Sequence, residues 1–380
     1  MLFPWMAFEP WTKGMLSGKR EQAQIVLAPH GQGKFFSEAS FMRGLLPVFE
    51  PDLDWIQVSI TTQCNAQCLY CPRSFYRDSW HSRHIDPKLF SQVITGLKKV
   101  DLIYLQGWGE PFLHPNFWDM LTQVKQQGFL AGCTSNATVL DDDTLKRTVD
   151  KGLDVLALSL AGRGEDNDRI RAGTSFRQVV GAIEKLHRIK AQRKSANPRL
   201  HLAYMLLRQG LNDVEQLPDF FLDLGLDHVV LSSLTLPLSR DLEKQAELAD
   251  SPEEYRDFQA KMSAIFAEPS LQDKVFFHFY NPFQIPGHCA ENVQRALCLS
   301  TEGVVTPCVF TQIPVRQPVN YWYGGREYTL QQAGFGHVQE ESLKHIWNRR
   351  EYKAFRKKLN LEMCSRCAKT KIDSTLQEIL

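Results

Sequence analysis

Residues 55–72 read WIQVSITTQCNAQCLYCP, an apolar run followed by a polar loop that carries three cysteines. The run Trp55–Ile60 predicts a buried strand, because aromatic and β-branched residues are concentrated in it. Cys64, Cys68 and Cys71 follow within one short loop. Parallel β/α architectures place their chemistry at the carboxyl ends of strands, so we expect this loop to be functional.

Downstream, short apolar runs alternate with helical patterns to about residue 275, which indicates repeated β/α units. Gly128, Gly152 and Gly225 each follow a helical pattern and precede a strand, as helix-ending glycines do. Six units predict a partial parallel barrel or a curved open sheet rather than a closed eight-stranded barrel. The other five predicted strands are Leu102–Gln106, Leu130–Thr134, Val155–Leu160, His201–Leu206 and Val229–Leu231.

The composition argues against several classes of function. The 380 residues are 43% hydrophobic and 23% charged, with a formal net charge of +1. This balance predicts no binding to nucleic acid or to an anionic membrane surface. No stretch reaches the roughly 18 uncharged apolar residues of a membrane span. Met1–Trp11 lacks the pattern of a signal peptide, and we expect a cytoplasmic protein.

The nine cysteines are grouped rather than spread along the chain. Without a secretory signal, a disulfide framework is not expected. Cys133 stands alone in an apolar run and predicts a small buried hydrophobe. The other cysteines indicate metal or redox chemistry.

The spacing Cys64-x3-Cys68-x2-Cys71 brings three thiolates into one loop. Thiolates are the usual ligands of iron–sulfur clusters, and three of them leave one iron of a cubane open to a small molecule. The alternatives are a zinc site without its fourth ligand and a chance cluster. Structural zinc sites prefer paired x2 spacings and four ligands, so the pattern favours iron and sulfur.

The stretch Gln63–Pro72 resembles the motif of the radical S-adenosylmethionine (SAM) superfamily, including the aromatic Tyr70 before the third cysteine. The resemblance implies a 4Fe–4S cluster whose open iron is chelated by the methionine part of SAM. One electron, from a flavodoxin or ferredoxin-type donor, would cleave SAM to methionine and a 5′-deoxyadenosyl radical that abstracts a substrate hydrogen. The cofactor supplies the radical chemistry, and the protein supplies orientation and exclusion of water.

Gly107-Trp108-Gly109-Glu110-Pro111 resembles the Gly-Gly-Glu-Pro segment of this superfamily, with Trp108 in place of the first glycine of the pair. Alone it would predict only a turn. After a predicted strand, the glycines allow close approach of a ligand, and Glu110 suits the ammonium group of SAM. The resemblance therefore implies that Gly107, Trp108, Gly109 and Glu110 bind SAM.

Three further residues resemble SAM-binding positions of related enzymes. Ser159 and Arg171 are similar to a serine and an arginine that hold the ribose or carboxylate, and Asn136 belongs to a segment similar to Thr-Asn-Gly. Arg171 could form a charge-assisted fork, although arginine is usually a surface residue. Ala161 and Ala137 depart from the pattern of the superfamily. Related enzymes often have an aspartate at the position of Ala161, so any role of that aspartate is absent here.

A second group of cysteines follows residue 288. Cys298-x4-Gly303-x4-Cys308 and Cys364-x2-Cys367 form two pairs, and Gly303 predicts a hairpin between the first two. A structural zinc ribbon would also fit two pairs.

The pattern resembles the SPASM and twitch auxiliary-cluster domains, and implies a second 4Fe–4S cluster on Cys298, Cys308, Cys364 and Cys367. Whether Cys289 is a ligand stays open. We therefore expect an α/β fold, a partial (β/α)6 TIM-like barrel with a small C-terminal Fe–S cluster domain. The expected divisions are an N-terminal extension at 1–53, the barrel at 54–280 and the auxiliary domain at 281–380.

Three functions remain. The first is a maturase acting on a peptide or protein side chain, and the second is a maturase of a metal or quinone cofactor. The third is a non-catalytic electron carrier or zinc-stabilised binding module. The SAM-binding segments argue against the third, because a carrier needs no open iron. No motif identifies a general base.

Overall fold

The computed structural model describes residues 52–281, 283, 288–289, 291–367 and 370–371. The predicted N-terminal extension therefore lies outside the described residues, except for Asp52 and Leu53. Leu53 is already the first residue of strand β1.

Most strands belong to one nine-stranded sheet with the order β12-β11-β1-β3-β4-β5-β7-β8-β9. Every neighbouring pair in it is parallel except β11 and β12. The order has two ends, so the sheet stays open, as predicted. The strands are β1 (Leu53–Val58), β2 (Gln67–Cys68), β3 (Val100–Leu105), β4 (Leu130–Ser135), β5 (Val155–Leu160), β6 (Arg171–Ala172), β7 (Arg199–Met205), β8 (His228–Ser232), β9 (Val275–His278), β10 (His288–Cys289), β11 (Ala296–Leu299), β12 (Val305–Thr306), β13 (Asn320–Tyr323), β14 (Arg326–Thr329) and β15 (Thr370–Lys371).

Helices connect the parallel strands. Gly128, Gly152 and Gly225 have φ of 81°, 72° and 59° and follow three of these helices, which confirms their predicted role in helix termination. Among the described residues, no helix is both long and apolar enough to cross a membrane. The α-helices are Pro72–Phe75, Pro87–Gly96, Phe117–Gln126, Asp142–Asp150, Gly164–Ile170, Phe176–Arg193, Leu217–Asp223, Arg240–Ala246, Pro252–Ile265, Leu343–Asn348 and Arg350–Lys358.

The sheet separates two apolar cores. Alternate strand residues such as Ile56 and Val58 belong to the outer core, which also contains helix residues. Trp55 belongs to the inner core, which contains the first cysteine triplet and Cys298. Cys133 is fully buried in the outer core, as predicted for a small hydrophobe. The two cysteine regions thus share the inner core.

Strand β11 joins the sheet from beyond the predicted barrel. It pairs in parallel with β1, with Gln57 opposite Cys298, and β9 extends the other side of the sheet next to β8. Both are only four residues long, too short for periodicity to identify them. The six predicted strands are all present. Because β11 belongs to the same sheet, the sheet extends across the predicted division at residue 280 between the barrel and the auxiliary domain.

Candidate active site

The first cysteine loop alternates between buried and exposed residues. Cys64 and Cys68 are 9% and 4% exposed, whereas the intervening Asn65 and Gln67 face solvent. Cys71 is 6% exposed. The antiparallel pair β2–β6 holds the loop, with Cys68 opposite Arg171. This pairing directs all three cysteines into the protein.

The buried thiols suit a metal cluster. Burial, together with the nearby charge of Glu110, raises the pKa of the Cys64 thiol to about 12. Positive iron would compensate the cost of three buried thiolates. The described residues contain no group of three His, Cys, Asp or Glu side chains placed to hold a single metal ion. The thiolates of a cubane bind different iron atoms, so they need not meet at one point.

Asn136 lies directly beside this loop. Its side-chain nitrogen is 3.6 Å from Cys64 Sγ and donates a 3.0 Å hydrogen bond to Asn65 Oδ1. Amide donors near cluster sulfurs tune the reduction potential of iron–sulfur centres. The structure thus brings Asn136 to the cysteines, and its contact with SAM stays a prediction.

The Gly107–Pro111 segment packs against the cysteine loop. The Glu110 backbone nitrogen donates a 2.8 Å hydrogen bond to the Gln63 carbonyl. A Cβ atom at Gly109 would lie 2.4 Å from that same oxygen, and one at Gly107 would lie 1.8 Å from Ser59 Oγ. Glycine is required at both positions so that this segment can approach the end of β1 and the loop.

Glu110 connects the ends of β3 and β4. Its carboxylate accepts hydrogen bonds from Ser135 Oγ at 2.8 Å and from the Asn136 backbone nitrogen at 2.7 Å. Full burial raises its pKa to about 7, although these bonds oppose the shift. A bound ammonium group would favour the ionised carboxylate. The surroundings of Glu110 are therefore compatible with its predicted binding of the ammonium group of SAM.

The Trp108 side chain points toward the C-terminal region. Its ring contacts Phe310 edge-to-face, with centroids 5.9 Å apart, and its indole nitrogen donates a hydrogen bond to the Gln312 carbonyl. Trp108 therefore joins the two cysteine regions, and its contact with SAM stays a prediction.

Arg171 is buried, not a surface arginine. It is 1% exposed, and Nη1 donates a 2.6 Å hydrogen bond to Tyr70 Oη. Its Nε and Nη2 atoms are buried and have no hydrogen-bond partner among the described residues. These two atoms form one edge of the guanidinium plane, the edge that binds a carboxylate side-on. The site therefore offers an unused anion fork beside the cysteine loop.

Ser159 lies near the end of β5 and is 4% exposed. The loop that follows is fixed by Asn167, whose side-chain oxygen accepts a 3.0 Å hydrogen bond from the Ala161 nitrogen. This loop leads through the helix Gly164–Ile170 to Arg171. The segment that carries Ser159 is thereby connected to the arginine fork.

The second cysteine group contains a member that sequence analysis left open. Cys289 lies in β10, which pairs with β15 so that Cys289 is opposite Thr370, three residues after Cys367. Burial raises the pKa of Cys289, and the charges of Cys367, Glu291 and Cys308 raise it further. Burial also raises the pKa of Cys308, with Glu291, Cys367 and Cys364 adding to the effect. Cys289 and Cys308 therefore lie near the Cys364–Cys367 segment.

Cys298 has different surroundings. Its thiol donates a 3.6 Å hydrogen bond to the Gln57 side chain in β1. Burial raises its pKa, and Cys308 and Glu291 are the charges that raise it further. The predicted hairpin at Gly303 is present, with φ of 92° at that glycine and Cys298 opposite Thr306. No periodic pattern could have shown that a two-residue strand brings Cys289 to the other cysteines.

Two family models match the chain. The model of the radical SAM superfamily matches residues 58–221, and the SPASM model, an iron–sulfur cluster-binding domain, matches residues 289–368.

Curated relatives are distant. A "tungsten-containing aldehyde ferredoxin oxidoreductase cofactor-modifying protein" of Pyrococcus furiosus is 24% identical over 312 residues, covering 80% of this chain and 83% of the relative. A GTP 3′,8-cyclase of Chlorobaculum tepidum is 27% identical over 177 residues, which is 45% of this chain and 50% of the cyclase.

Solved structures share the fold. The native protein anSMEcpe with bound AdoMet has a TM-score of 0.57 at 15% identity, covering 83% of this chain and 88% of that chain. Streptococcus suis SuiB bound to the precursor peptide SuiA has a TM-score of 0.56 at 12% identity, covering 97% of this chain and 88% of the SuiB chain.

Proposed function

The chain is a radical SAM enzyme with a C-terminal SPASM iron–sulfur domain, and we propose that it is a maturase that abstracts a hydrogen atom from its substrate. The observation that carries the proposal is the unused Nε–Nη2 edge of buried Arg171, opposite Cys68. An unpaired buried guanidinium is costly unless an anion binds it. The carboxylate of SAM supplies such an anion.

The radical SAM domain binds a 4Fe–4S cluster and SAM, and the SPASM domain binds auxiliary iron–sulfur. The first cluster, which Cys64, Cys68 and Cys71 would hold, would supply the electron for reductive cleavage of SAM to methionine and a 5′-deoxyadenosyl radical, the species that abstracts the hydrogen atom. The protein's part is to hold the cluster through Cys64, Cys68 and Cys71, and to exclude water by burying them. Arg171 would orient SAM, and Asn136 would donate toward Cys64 Sγ.

For the auxiliary cluster we assign Cys289, Cys308, Cys364 and Cys367 as ligands. The β10–β15 pair, which sets Cys289 opposite Thr370, supports this set, as do the charge effects of Cys367 and Cys308 on the pKa of Cys289 and of Cys367 and Cys364 on the pKa of Cys308. The ligand set predicted from sequence, with Cys298 in place of Cys289, stays the alternative, and the Cys298 thiol donates a 3.6 Å hydrogen bond to the Gln57 side chain.

A peptide or protein side chain is the first substrate class. A solved structure that covers 97% of this chain, SuiB, is bound to a precursor peptide.

A cofactor precursor is the second substrate class. It is favoured by the Pyrococcus furiosus relative, which is named for cofactor modification and aligns over most of both chains. A short reading frame beside the gene would favour the peptide, and a metalloenzyme operon would favour the cofactor.

Anaerobic reconstitution with iron and sulfide, followed by dithionite and SAM, tests the reaction. We expect 5′-deoxyadenosine from the wild type and none from Cys68→Ala, because two thiolates cannot hold a cubane with one open iron. Cys133→Ala is the matched control, since Cys133 is buried in the outer core and belongs to neither group of cysteines. Zinc in place of iron, with no deoxyadenosine from the wild type, would refute the proposal and favour the binding-module alternative.

Isotope transfer tests the substrate. A deuterated peptide from a neighbouring gene should pass deuterium into 5′-deoxyadenosine, which mass spectrometry detects. Transfer from a labelled cofactor precursor, and none from the peptide, would select the second substrate class.

A further inference from the structure

Two exposed apolar side chains lie on the cysteine loop. Among the described residues, the exposed large hydrophobic side chains are Leu69, Phe75 and Phe283, at 52%, 48% and 38% exposure. Leu69 separates Cys68 from Tyr70, and Phe75 ends the short helix that follows Cys71. A single exposed leucine is ordinary, but here one exposed apolar side chain is next to Cys68 and a second follows Cys71 by four residues, and we consider the two together as one patch.

The backbone fixes the direction of both side chains. The Leu69 nitrogen donates a 2.9 Å hydrogen bond to the Ile170 carbonyl, which continues the alternation that buries Cys68 and Tyr70 and exposes Leu69. Phe75 has its ring 5.2 Å from that of Tyr76, which is buried. Leu69 and Phe75 are therefore held outward by the same fold that holds the cysteines inward.

Positive charge accompanies this patch. Arg73 Nη1 donates a 2.8 Å hydrogen bond to the Ala66 carbonyl, and Arg77 Nη2 donates one of 2.8 Å to the Gln67 side chain. Both acceptors are neutral, so these bonds hold the arginines at the loop without cancelling their charge. Neither arginine forms an ion pair within the described part of the chain.

We propose that Leu69, Arg73, Phe75 and Arg77, here called the cluster-loop patch, dock a small acidic one-electron carrier protein. The inference rests on the proposed function, because reductive cleavage of SAM consumes one electron per turnover. The carrier is oxidised by one electron as the 4Fe–4S cluster is reduced by one, and no atom is transferred.

The composition of the patch fits such a partner. The arginines would steer an acidic carrier toward the loop, which raises the association rate at low salt. Leu69 and Phe75 would give the apolar centre that a short-lived interface needs. Docking here would place the carrier against the segment that contains Cys68 and Cys71, two of the residues that would hold the cluster that receives the electron.

Steady-state kinetics with a flavodoxin in its hydroquinone form tests the docking surface. Leu69→Ser and Phe75→Ser together should raise the KM for flavodoxin about tenfold or more, the effect of losing central contacts. The rate of deoxyadenosine formation driven by dithionite should stay at the wild-type value. Phe283→Ser is the matched control, since it removes the third exposed hydrophobic side chain, which follows β9 in the chain and is remote in sequence from the cysteine loop.

Charge is tested separately. Arg77→Glu should also raise the KM for flavodoxin, because one attractive charge becomes repulsive. For the same reason, the KM of this variant should increase less steeply with salt concentration than that of the wild type. A ferredoxin in place of flavodoxin distinguishes the two acidic carriers, and a KM shift with either one supports the docking surface.

An unchanged KM for both carriers in the double variant would overturn the inference. So would a rise in the KM for substrate under dithionite, or a change from dimer to monomer, since these outcomes identify a substrate site or a contact between copies. Phe75→Ser alone decides the question if Leu69→Ser disturbs the cluster, because Phe75 lies outside the cysteine spacing. Absence of dithionite-driven cleavage in the wild type would refute the proposed function instead.

Discussion

The indole nitrogen of Trp108 donates a 3.1 Å hydrogen bond to the backbone carbonyl of Gln312. Trp108 precedes Gly109 and Glu110 on the loop after β3, and Gln312 follows Cys308 by four residues. Because the indole is 3% exposed, this bond and the contact with Phe310 are shielded from water. The segment next to the first cluster and the segment next to the second are thus packed as one unit.

Trp108→Phe should destabilise the protein by about 1 kcal/mol, because it keeps an aromatic ring and removes the hydrogen bond. Trp108→Ala should cost about 3–5 kcal/mol, because it also leaves a cavity beside Phe310. Urea unfolding followed by circular dichroism measures both. Equal losses of unfolding free energy in the two variants would show that the hydrogen bond, and not the packing of the ring, accounts for most of the stabilisation by Trp108.

Gly109→Ala should abolish deoxyadenosine formation and lower the iron content. Its Cβ would lie 2.4 Å from the Gln63 carbonyl and 2.6 Å from the Thr61 carbonyl, and backbone atoms can yield only if the cysteine loop moves. Gly96→Ala is the control, since nothing lies within 4 Å of a Cβ there. Full activity in Gly109→Ala would contradict the packing derived for this loop.

Cys289→Ala and Cys364→Ala should each lower the iron content by up to about half, because one of two four-iron clusters loses a ligand. Uncoupled SAM cleavage should persist in both variants, since the first cysteine triplet is intact. Cys298→Ala should keep its iron, because that thiol bonds to Gln57. Iron analysis and electron paramagnetic resonance check this, and loss of iron in Cys298→Ala and Cys364→Ala but not in Cys289→Ala would restore the ligand set predicted from sequence.

Acidification should destabilise the protein through His114. Burial, with the charge of His84, lowers its pKa to about 4, and its Nδ1 accepts a 3.0 Å hydrogen bond from the Asn116 nitrogen. In the folded state His114 therefore stays neutral at pH values at which the same histidine of the unfolded chain, with a pKa near 6.5, binds a proton. This stabilisation is complete above pH 6.5 and is lost as the pH falls toward 4.

Between pH 7.5 and 5.5 the loss at His114 should be about 1 kcal/mol. His114→Asn retains an acceptor for the Asn116 nitrogen and should remove this part of the pH dependence. Denaturant unfolding at the two pH values measures it, with exposed His345→Asn as the control. Identical pH dependence in wild type and His114→Asn would exclude His114 as the cause.

Local patterns in the sequence were enough to predict the six strands of the barrel and its cysteine loop. Strand-forming residues and helix-ending glycines act on their own neighbourhood, so β5 has its predicted bounds, Val155–Leu160. The three cysteines of the loop are joined by so few residues that their proximity needs no tertiary contact.

Only the tertiary structure decided how distant segments meet. The β1–β11 pair sets Gln57 beside Cys298, and the β10–β15 pair sets Cys289 near Cys367. The burial of Arg171 likewise depends on its pairing with the cysteine loop. The physical reason is that such pairings are fixed by the packing of side chains from remote parts of the chain, which leaves no periodic trace in strands of two to four residues.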